Sequence, residues 1–158
     1  MATITATLAP AHGSSSRGRQ PYMVEQTIDL TANSIAPGDV VQAITVPANT
    51  KIMAAGLQVT ASATMNSGTD ATAILGTAVD DNEYVAAFDI DGAADGAYAP
   101  SATVAGDIVI TSADTLDVTL AGSGGSFTAG TLRVYAVMMD VSALGEMSAD
   151  EVDRDTLA

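Results

Sequence analysis

Residues 131–141 read Thr-Leu-Arg-Val-Tyr-Ala-Val-Met-Met-Asp-Val, and this stretch decides the fold class. From Leu132 to Met138 every second residue is apolar, which is the period of a β-strand with one buried face. The same alternation, interrupted by turn residues, recurs from residue 24 onward with no helical period between the repeats. The sequence therefore predicts an all-β, jelly-roll-like sandwich of about eight strands.

The other predicted strands are read from the same alternation. They cover 24–31, 40–46, 51–61, 71–79 and 84–90, and a hairpin around Ser112-Ala113-Asp114 joins 107–111 to 115–121. Turns are predicted at Ala36-Pro37-Gly38-Asp39 and at Gly122–Ser126. The predicted core positions on these strands are Val24, Ile28 and Leu30; Val40, Ile44 and Val46; Met53, Leu57 and Val59; and Tyr84, Ala86, Phe88 and Ile90.

Three stretches are apolar on both faces of their strands, namely Val40-Val41, Ile52-Met53 and Val137-Met138-Met139. A strand with one wet face should alternate. Either a subunit interface or a long loop is expected to cover the outer faces of these three strands.

The composition is acidic and poor in aromatic residues. Nineteen acids face five bases, the net charge is −14, and Lys51 is the only lysine. Because nucleic acids and anionic membranes bind clusters of Lys and Arg, neither is an expected partner. Aromatic residues make up only 4% of the chain, and its many alanines bury little area. A core this thin favours support from neighbouring subunits.

The chain divides into three predicted parts. Residues 1–20 form a Gly- and Ser-rich flexible arm, which carries Arg17 and Arg19 and no acid, so its charge is +2 against −16 for the remainder. The two arginines either contact an acidic partner surface, with the arm ordering on binding, or belong to a plain linker. Residues 21–141 form the sandwich domain. Residues 142–158 form an acidic tail, either frayed or a short helix capped by Ser148.

Catalytic and metal-binding signatures are weak. The chain has no cysteine and one histidine, His12, which lies in the arm and is poorly placed for a catalytic triad. The aspartates of Asp89–Asp95 could supply oxygens to Ca²⁺, but the full calcium-loop pattern is missing, and a solvated acidic turn is the favoured interpretation. A hydrolase with paired acids would need an aromatic-lined cleft, and the aromatic residues are scattered. No cofactor, metal or catalytic residue is expected.

The order of strands and turns over residues 24–141 resembles small virion proteins of tailed bacteriophages, of the head decoration or cement type. The stretches that carry the resemblance are 44–52, 55–60, 74–77, 81–90, 113–120 and 127–135. It implies a compact β fold, often trimeric, bound outside the capsid at its symmetry axes and bracing subunits of the major capsid protein. It also implies arms or tails that extend over the shell, and it brings no catalytic residue.

The expected function is therefore structural and not enzymatic. The expected partner is the major capsid protein, the expected state is a homo-oligomer, with a trimer favoured, and Arg17 and Arg19 are the expected capsid contacts. Residues 1–10 lack the basic start and apolar core of a signal peptide, so synthesis in the host cytoplasm and an exterior position on the virion are expected. The alternatives are a phage tail or fibre component and a carbohydrate- or calcium-binding β-sandwich module.

Overall fold

Eight β-strands account for most of the residues that the computed structural model describes, which are 20–32, 35–100 and 108–142. The strands are β1 (Tyr22–Asp29), β2 (Val40–Val46), β3 (Thr50–Met65), β4 (Thr72–Gly76), β5 (Val85–Asp89), β6 (Val109–Ile110), β7 (Asp114–Ala121) and β8 (Phe127–Asp140). Sheet 1 has the order β1-β8-β3-β6 and sheet 2 the order β2-β7-β4-β5. Every pairing is antiparallel. The predicted all-β sandwich is confirmed.

The core lies between the central strands of the two sheets. In β8 the side chains of Leu132, Val134, Ala136 and Met138 are buried, as their spacing predicts. From sheet 2, β7 contributes Leu116, Val118 and Leu120 on the same two-residue period. The strands with the cleanest alternation thus sit at the centre, where one face of each sheet meets the other.

The first predicted turn forms as its residue types require. The Asp39 N–H donates to the Ala36 carbonyl at 3.1 Å, and Gly38 adopts a φ of 98°, which L side chains rarely tolerate. Pro37 supplies the fixed φ of the preceding position. The predicted loop at Gly122–Ser126 is also present, and it carries the chain from sheet 2 to sheet 1.

Two predicted core residues, Val40 and Met53, are instead exposed, with 56% and 41% of their surface accessible. Each lies where a strand contains one residue more than its partner. The register of β2 shifts between Gln42 and Ile44, and that of β3 shifts between Ile52 and Ala54. Because side chains alternate with a period of two, one extra residue turns the positions before it to the opposite face.

A shift of register also changes which of residues 84–90 are buried. Tyr84 and Ile90 are buried as predicted and Phe88 is half-buried, but Ala86 is exposed and Val85 is buried. The register between β4 and β5 shifts by one residue within this stretch. The predicted strand is therefore real, while its alternation is not continuous.

The predicted hairpin of residues 107–121 is wrong. β6 pairs with β3 in sheet 1, whereas β7 pairs with β2 and β4 in sheet 2. Residues 111–113 therefore cross from one sheet to the other instead of turning within one. Alternation identifies strands but carries no information on which strand pairs with which, and proximity in sequence favoured the wrong neighbour.

Parts of the predicted organisation fall outside the described residues. These parts are the arm except Gln20, the acidic tail except Ser142, and Asp107 at the start of the predicted hairpin. Across the described ranges, no helix has the length and hydropathy to cross a lipid bilayer.

Candidate assembly surface

Four strand ends lie together at one end of the sandwich, which we call the Tyr22 end. In sheet 1 the register places Tyr22, where β1 starts, opposite Met138 near the end of β8. Thr50, where β3 starts, lies beside both Ile110 of β6 and Asp140 of β8. The chain thus enters the described sandwich at Gln20 and leaves it after Ser142 at this same end.

An apolar patch occupies the outer face of sheet 1 at the Tyr22 end. It consists of Met23 on β1, Met53 on β3, Val109 on β6, and Val137 and Met139 on β8. Val137 pairs with Met23 on one side and with Ala54 on the other, while Lys51 stands between Met139 and Val109. The patch therefore crosses four strands, about 14 Å at the usual strand spacing.

The exposure of this patch is unusual for a chain with a net charge of −14. Met23, Met53 and Val109 expose 61%, 41% and 40% of their surface. In the two strand-pairing rows that form the patch, the outward positions hold no acid, and the one charged residue is Lys51. An apolar patch spanning several strands marks an interaction site more often than scattered exposed residues do.

Two tyrosines extend the apolar patch along the same face. Tyr135, two residues before Val137, lies over Gly56, whose missing side chain leaves room for the ring. Tyr98 meets it edge to face, with ring centroids 6.0 Å apart. The face turns polar beside Tyr135, where Arg133 and Glu25 approach to 4.0 Å. Methionine and tyrosine are residues that protein interfaces favour, and the ion pair lies at the polar rim.

A groove of about 420 Å³ adjoins the apolar patch at the Tyr22 end. It runs between the connection from β4 to β5 and residues 108–114, and Val109 belongs to both the apolar patch and the groove. Val79, on its rim, exposes 93% of its surface. The remaining lining residues are Thr77, Glu83, Ile108, Ile110, Thr111, Ser112, Ala113 and Asp114. Patch and groove together form one continuous surface, which we call the assembly surface.

Glu83 is the groove residue whose titration the fold changes. Burial raises the pKa of its carboxyl, and the neighbouring Asp80 charge raises it further. Burial and the Glu83 charge also raise the pKa of Tyr84, so that its hydroxyl stays protonated. On the groove's other side, Asp114 accepts a hydrogen bond from the Thr115 N–H at 2.8 Å. Glu83 therefore takes up a proton at a higher pH than an ordinary glutamate does.

Each aspartate of the candidate calcium loop accepts a hydrogen bond from a different backbone N–H. Asp89 accepts from the Gly92 N–H at 2.7 Å, a bond that lowers the pKa of this carboxyl. Asp91 accepts from the Asp70 N–H at 2.9 Å, and Asp95 from the Ser62 N–H at 2.8 Å. Among the described residues, no three His, Cys, Asp or Glu side chains are grouped closely enough to hold a metal ion. These carboxylates act as local acceptors that fasten the loop to β3 and to the turn before β4.

Replacing Asp95 by alanine is expected to lower the free energy of unfolding by about 1 kcal/mol. The substitution removes the acceptor for the Ser62 N–H, whereas the Ser62 hydroxyl keeps its 2.6 Å bond to the Ala93 carbonyl. Ser62 lies where the pairing of β3 with β8 is irregular. Denaturant unfolding with and without EDTA would measure the effect. Asp81→Ala removes the same charge without a hydrogen bond and is expected to change stability by less than about 0.5 kcal/mol. A calcium site would instead show wild-type stability that falls with EDTA.

The two residues predicted to contact the capsid, Arg17 and Arg19, lie outside the described residues. The residues of the assembly surface were not selected as site residues from the sequence. Part of the signal was present, since Ile52-Met53 and Val137-Met138-Met139 were read as apolar on both faces. Their position beside Met23 and Val109 depends on strand pairing, which the alternation does not reveal.

No family model matches this sequence, and no curated protein matches it. Three solved structures contain chains of similar fold. A chain of the cyanophage Pam1 capsid has a TM-score of 0.64 at 17% identity, with 85% of this chain and 93% of that chain covered. A chain of the Ralstonia phage GP4 capsid has a TM-score of 0.58 at 19% identity, with 88% and 93% covered. The fold of this protein is one found in phage capsids.

The third similar chain belongs to the acidic stable capsid structure of Helicobacter pylori bacteriophage KHP30. It has a TM-score of 0.50 at 15% identity, with 77% of this chain and 93% of that chain covered. Because 85% of 158 residues corresponds to 93% of the Pam1 chain, that chain has about 145 residues. The same reasoning gives about 130 residues for the KHP30 chain and about 150 for the GP4 chain. The likeness to phage capsid proteins thus extends over nearly the whole of three chains of this size.

Proposed function

We propose that this protein is a decoration, or cement, protein that binds the outside of a tailed-phage capsid and stabilises the shell. It acts by binding and not by catalysis. The observation that carries the proposal is the fold shared with three capsid chains, each matched over 93% of its length. The sequence resemblance to decoration proteins, which rests on different information, supports the same class.

The assembly surface is the face that fits the shell. It joins an apolar patch, an edge-to-face tyrosine pair and a groove at one end of the sandwich. The chain as a whole carries a charge of −14, which packaged DNA repels. An exterior position, with the Tyr22 end facing the major capsid protein, satisfies both features.

Binding alone is sufficient to stabilise the shell. A protein that binds the assembled shell more tightly than its separate subunits shifts the equilibrium towards the shell by mass action. Many copies, each spanning neighbouring subunits, would oppose the outward pressure of packaged DNA. No chemical step is needed.

We expect the free protein to be a homotrimer. The described core is aliphatic apart from Met138 and two aromatic side chains, Tyr84 and Phe127, and a chain of 15.8 kDa with such a core gains stability from contacts between copies. Light scattering is expected to give a mass of about 47 kDa, unchanged by EDTA. A mass near 16 kDa, or one that depends on calcium, would contradict this state.

The experiment that tests the function uses shells of the protein's own phage, assembled without it. Added protein is expected to appear on the outside of the shell by electron cryo-microscopy, at a fixed symmetry axis. It is also expected to raise the temperature at which the shells rupture. Finding the protein in the tail, or finding no binding to shells, would overturn the proposal.

A further inference from the structure

The groove at the Tyr22 end has apolar walls and one acid on each side. Glu83 lines it from the connection between β4 and β5, and Asp114 lines it from the start of β7. The apolar lining residues are Val79, Ile108, Val109, Ile110 and Ala113. The groove's volume of about 420 Å³ lies near the lower end of the range for sites that enclose one small molecule, about 300–1,000 Å³. It therefore has room for one long side chain and not for a strand or a helix.

Asp114 keeps one carboxylate oxygen available for a partner. Its Oδ1 accepts from the Thr115 N–H at 2.8 Å, and no described residue donates a hydrogen bond to its Oδ2. A second, smaller hollow of about 300 Å³ shares Ala113 and Asp114 with the groove and is completed by Gln42 and Thr115. The Asp114 side chain therefore lies at the boundary of two concave surfaces, where a partner could contact it from either one.

The negative charge of the groove has no opposite charge beside it in the described part of the chain. The bases among the described residues are Lys51 and Arg133, which both lie on sheet 1, and neither lines the groove. Burial and the charge of Asp80 raise the pKa of Glu83 because each disfavours its carboxylate form. A cation beside Glu83 would favour that form, so the groove is electrostatically complementary to a positively charged partner.

The lining of the groove indicates which kind of cation fits. Within the described ranges, no three acids or other metal-ligating side chains are grouped closely enough to hold a metal ion. Lysine and arginine side chains instead lay an alkyl stem along apolar surface and keep the charged end in a polar environment. Val79, which exposes 93% of its surface at the rim, and Ile110 in the lining offer apolar surface for such a stem. Apolar walls that flank a carboxylate thus match a long basic side chain.

We propose that the groove receives one lysine or arginine side chain of the phage shell, with its stem along Val79 and Ile110 and its charged end paired with Glu83. Asp114, on the other side, adds to the negative potential that attracts the cation. The inference rests on the proposed function, since the shell supplies the side chain. A paired charge beside the apolar patch would fix the orientation in which the protein docks, because charge complementarity contributes mainly to specificity.

Binding of n-butylguanidinium, followed by NMR on the full chain, tests the groove without any shell. n-Butylurea has nearly the same shape and no charge, and it serves as the matched probe. The cation is expected to shift the amide signals of Ile110 and Asp114 saturably, and the urea to shift them at least 5-fold less. Glu83→Gln keeps the size of the side chain and is expected to abolish this difference. Asp81→Asn removes the same charge from the same connection without lining the groove, and is expected to retain it.

Titration of the variants onto shells tests whether the shell is the source of the side chain. Glu83→Gln is expected to weaken binding at least 10-fold, because the amide cannot form a charged pair with the basic side chain. Asp114→Asn keeps the acceptor for the Thr115 N–H and is expected to weaken binding about 3-fold through the lost potential. Asp81→Asn is expected to bind within 2-fold of wild type at moderate salt.

Two results would overturn the inference while the proposed function stands. One is equal shifts with n-butylguanidinium and n-butylurea, which would mean that the groove does not select a cation. The other is wild-type affinity of Glu83→Gln for shells, which would mean that no shell cation pairs with this carboxylate. Failure of the wild-type protein itself to bind shells would defeat the proposed function, and the shell side chain with it.

Discussion

Glutamate in place of Val109 is expected to weaken binding of this protein to the shell of its phage at least 100-fold. Val109 belongs to both the apolar patch and the groove, and 40% of its surface is exposed. The folded chain can keep a carboxylate there in water, whereas the bound state would have to bury it against an apolar partner surface. Burying an unpaired charge costs several kcal/mol, and a 100-fold loss of affinity is about 2.7 kcal/mol. Titration of labelled protein onto shells would measure the change.

Val40→Glu is the matched control for this substitution. Val40 is also an exposed valine, with 56% of its surface accessible, but it lies at the other end of β2 from Val46, which a short turn joins to Thr50 at the Tyr22 end. The charge change is identical, so any general repulsion affects both variants alike. We expect Val40→Glu to bind within about 2-fold of wild type at moderate salt, where long-range repulsion is screened. Equal losses for the two variants, or none for Val109→Glu, would mean that another face contacts the shell.

The sequence was sufficient for the strands that lie at the centre of the sandwich. In β8, Leu132 to Met138 alternate without a bulge, and the prediction of both strand and buried face is confirmed. Such strands have one face in the core along their whole length, so hydrophobicity alone determines their orientation. The turn at Ala36–Asp39 was equally legible, since Pro37 and Gly38 meet specific backbone requirements.

The sequence was not sufficient to predict the positions of β-bulges or the pairing of strands. A bulge leaves no mark in the hydrophobic pattern except a change of phase, and Val40 and Met53 were assigned to the wrong face for that reason. The pairing of β6 with β3 is a property of the whole sheet, so residues 107–121 were misread as a hairpin. The assembly surface depends on both effects. The bulge exposes Met53, and the pairing of β6 places Val109 beside Lys51.

Replacing Leu132 by alanine is expected to lower the free energy of unfolding by about 3–4 kcal/mol. Leu132 is fully buried in the central strand of sheet 1, where it pairs with Ile28 of β1 and with Val59 of β3. Leucine-to-alanine substitutions in cores cost about 2–5 kcal/mol, and the loss is greatest where neighbours cannot collapse into the cavity. Paired strands hold Leu132 on both sides, so little collapse is expected. Denaturant unfolding at one fixed protein concentration would measure the loss.

Leu132→Met keeps nearly the same volume and is expected to cost less than about 1.5 kcal/mol. The comparison matters because domains are stable by only about 5–15 kcal/mol, so the alanine variant should lose a large share of its stability. If the protein binds shells as proposed, saturating shells should restore part of that loss, since binding stabilises only the folded chain. A loss below about 1 kcal/mol for Leu132→Ala would contradict a close-packed interior at the centre of sheet 1. If Leu132→Ala regains stability when it is bound to shells, contacts with the shell and not the core alone stabilise the fold of the bound protein.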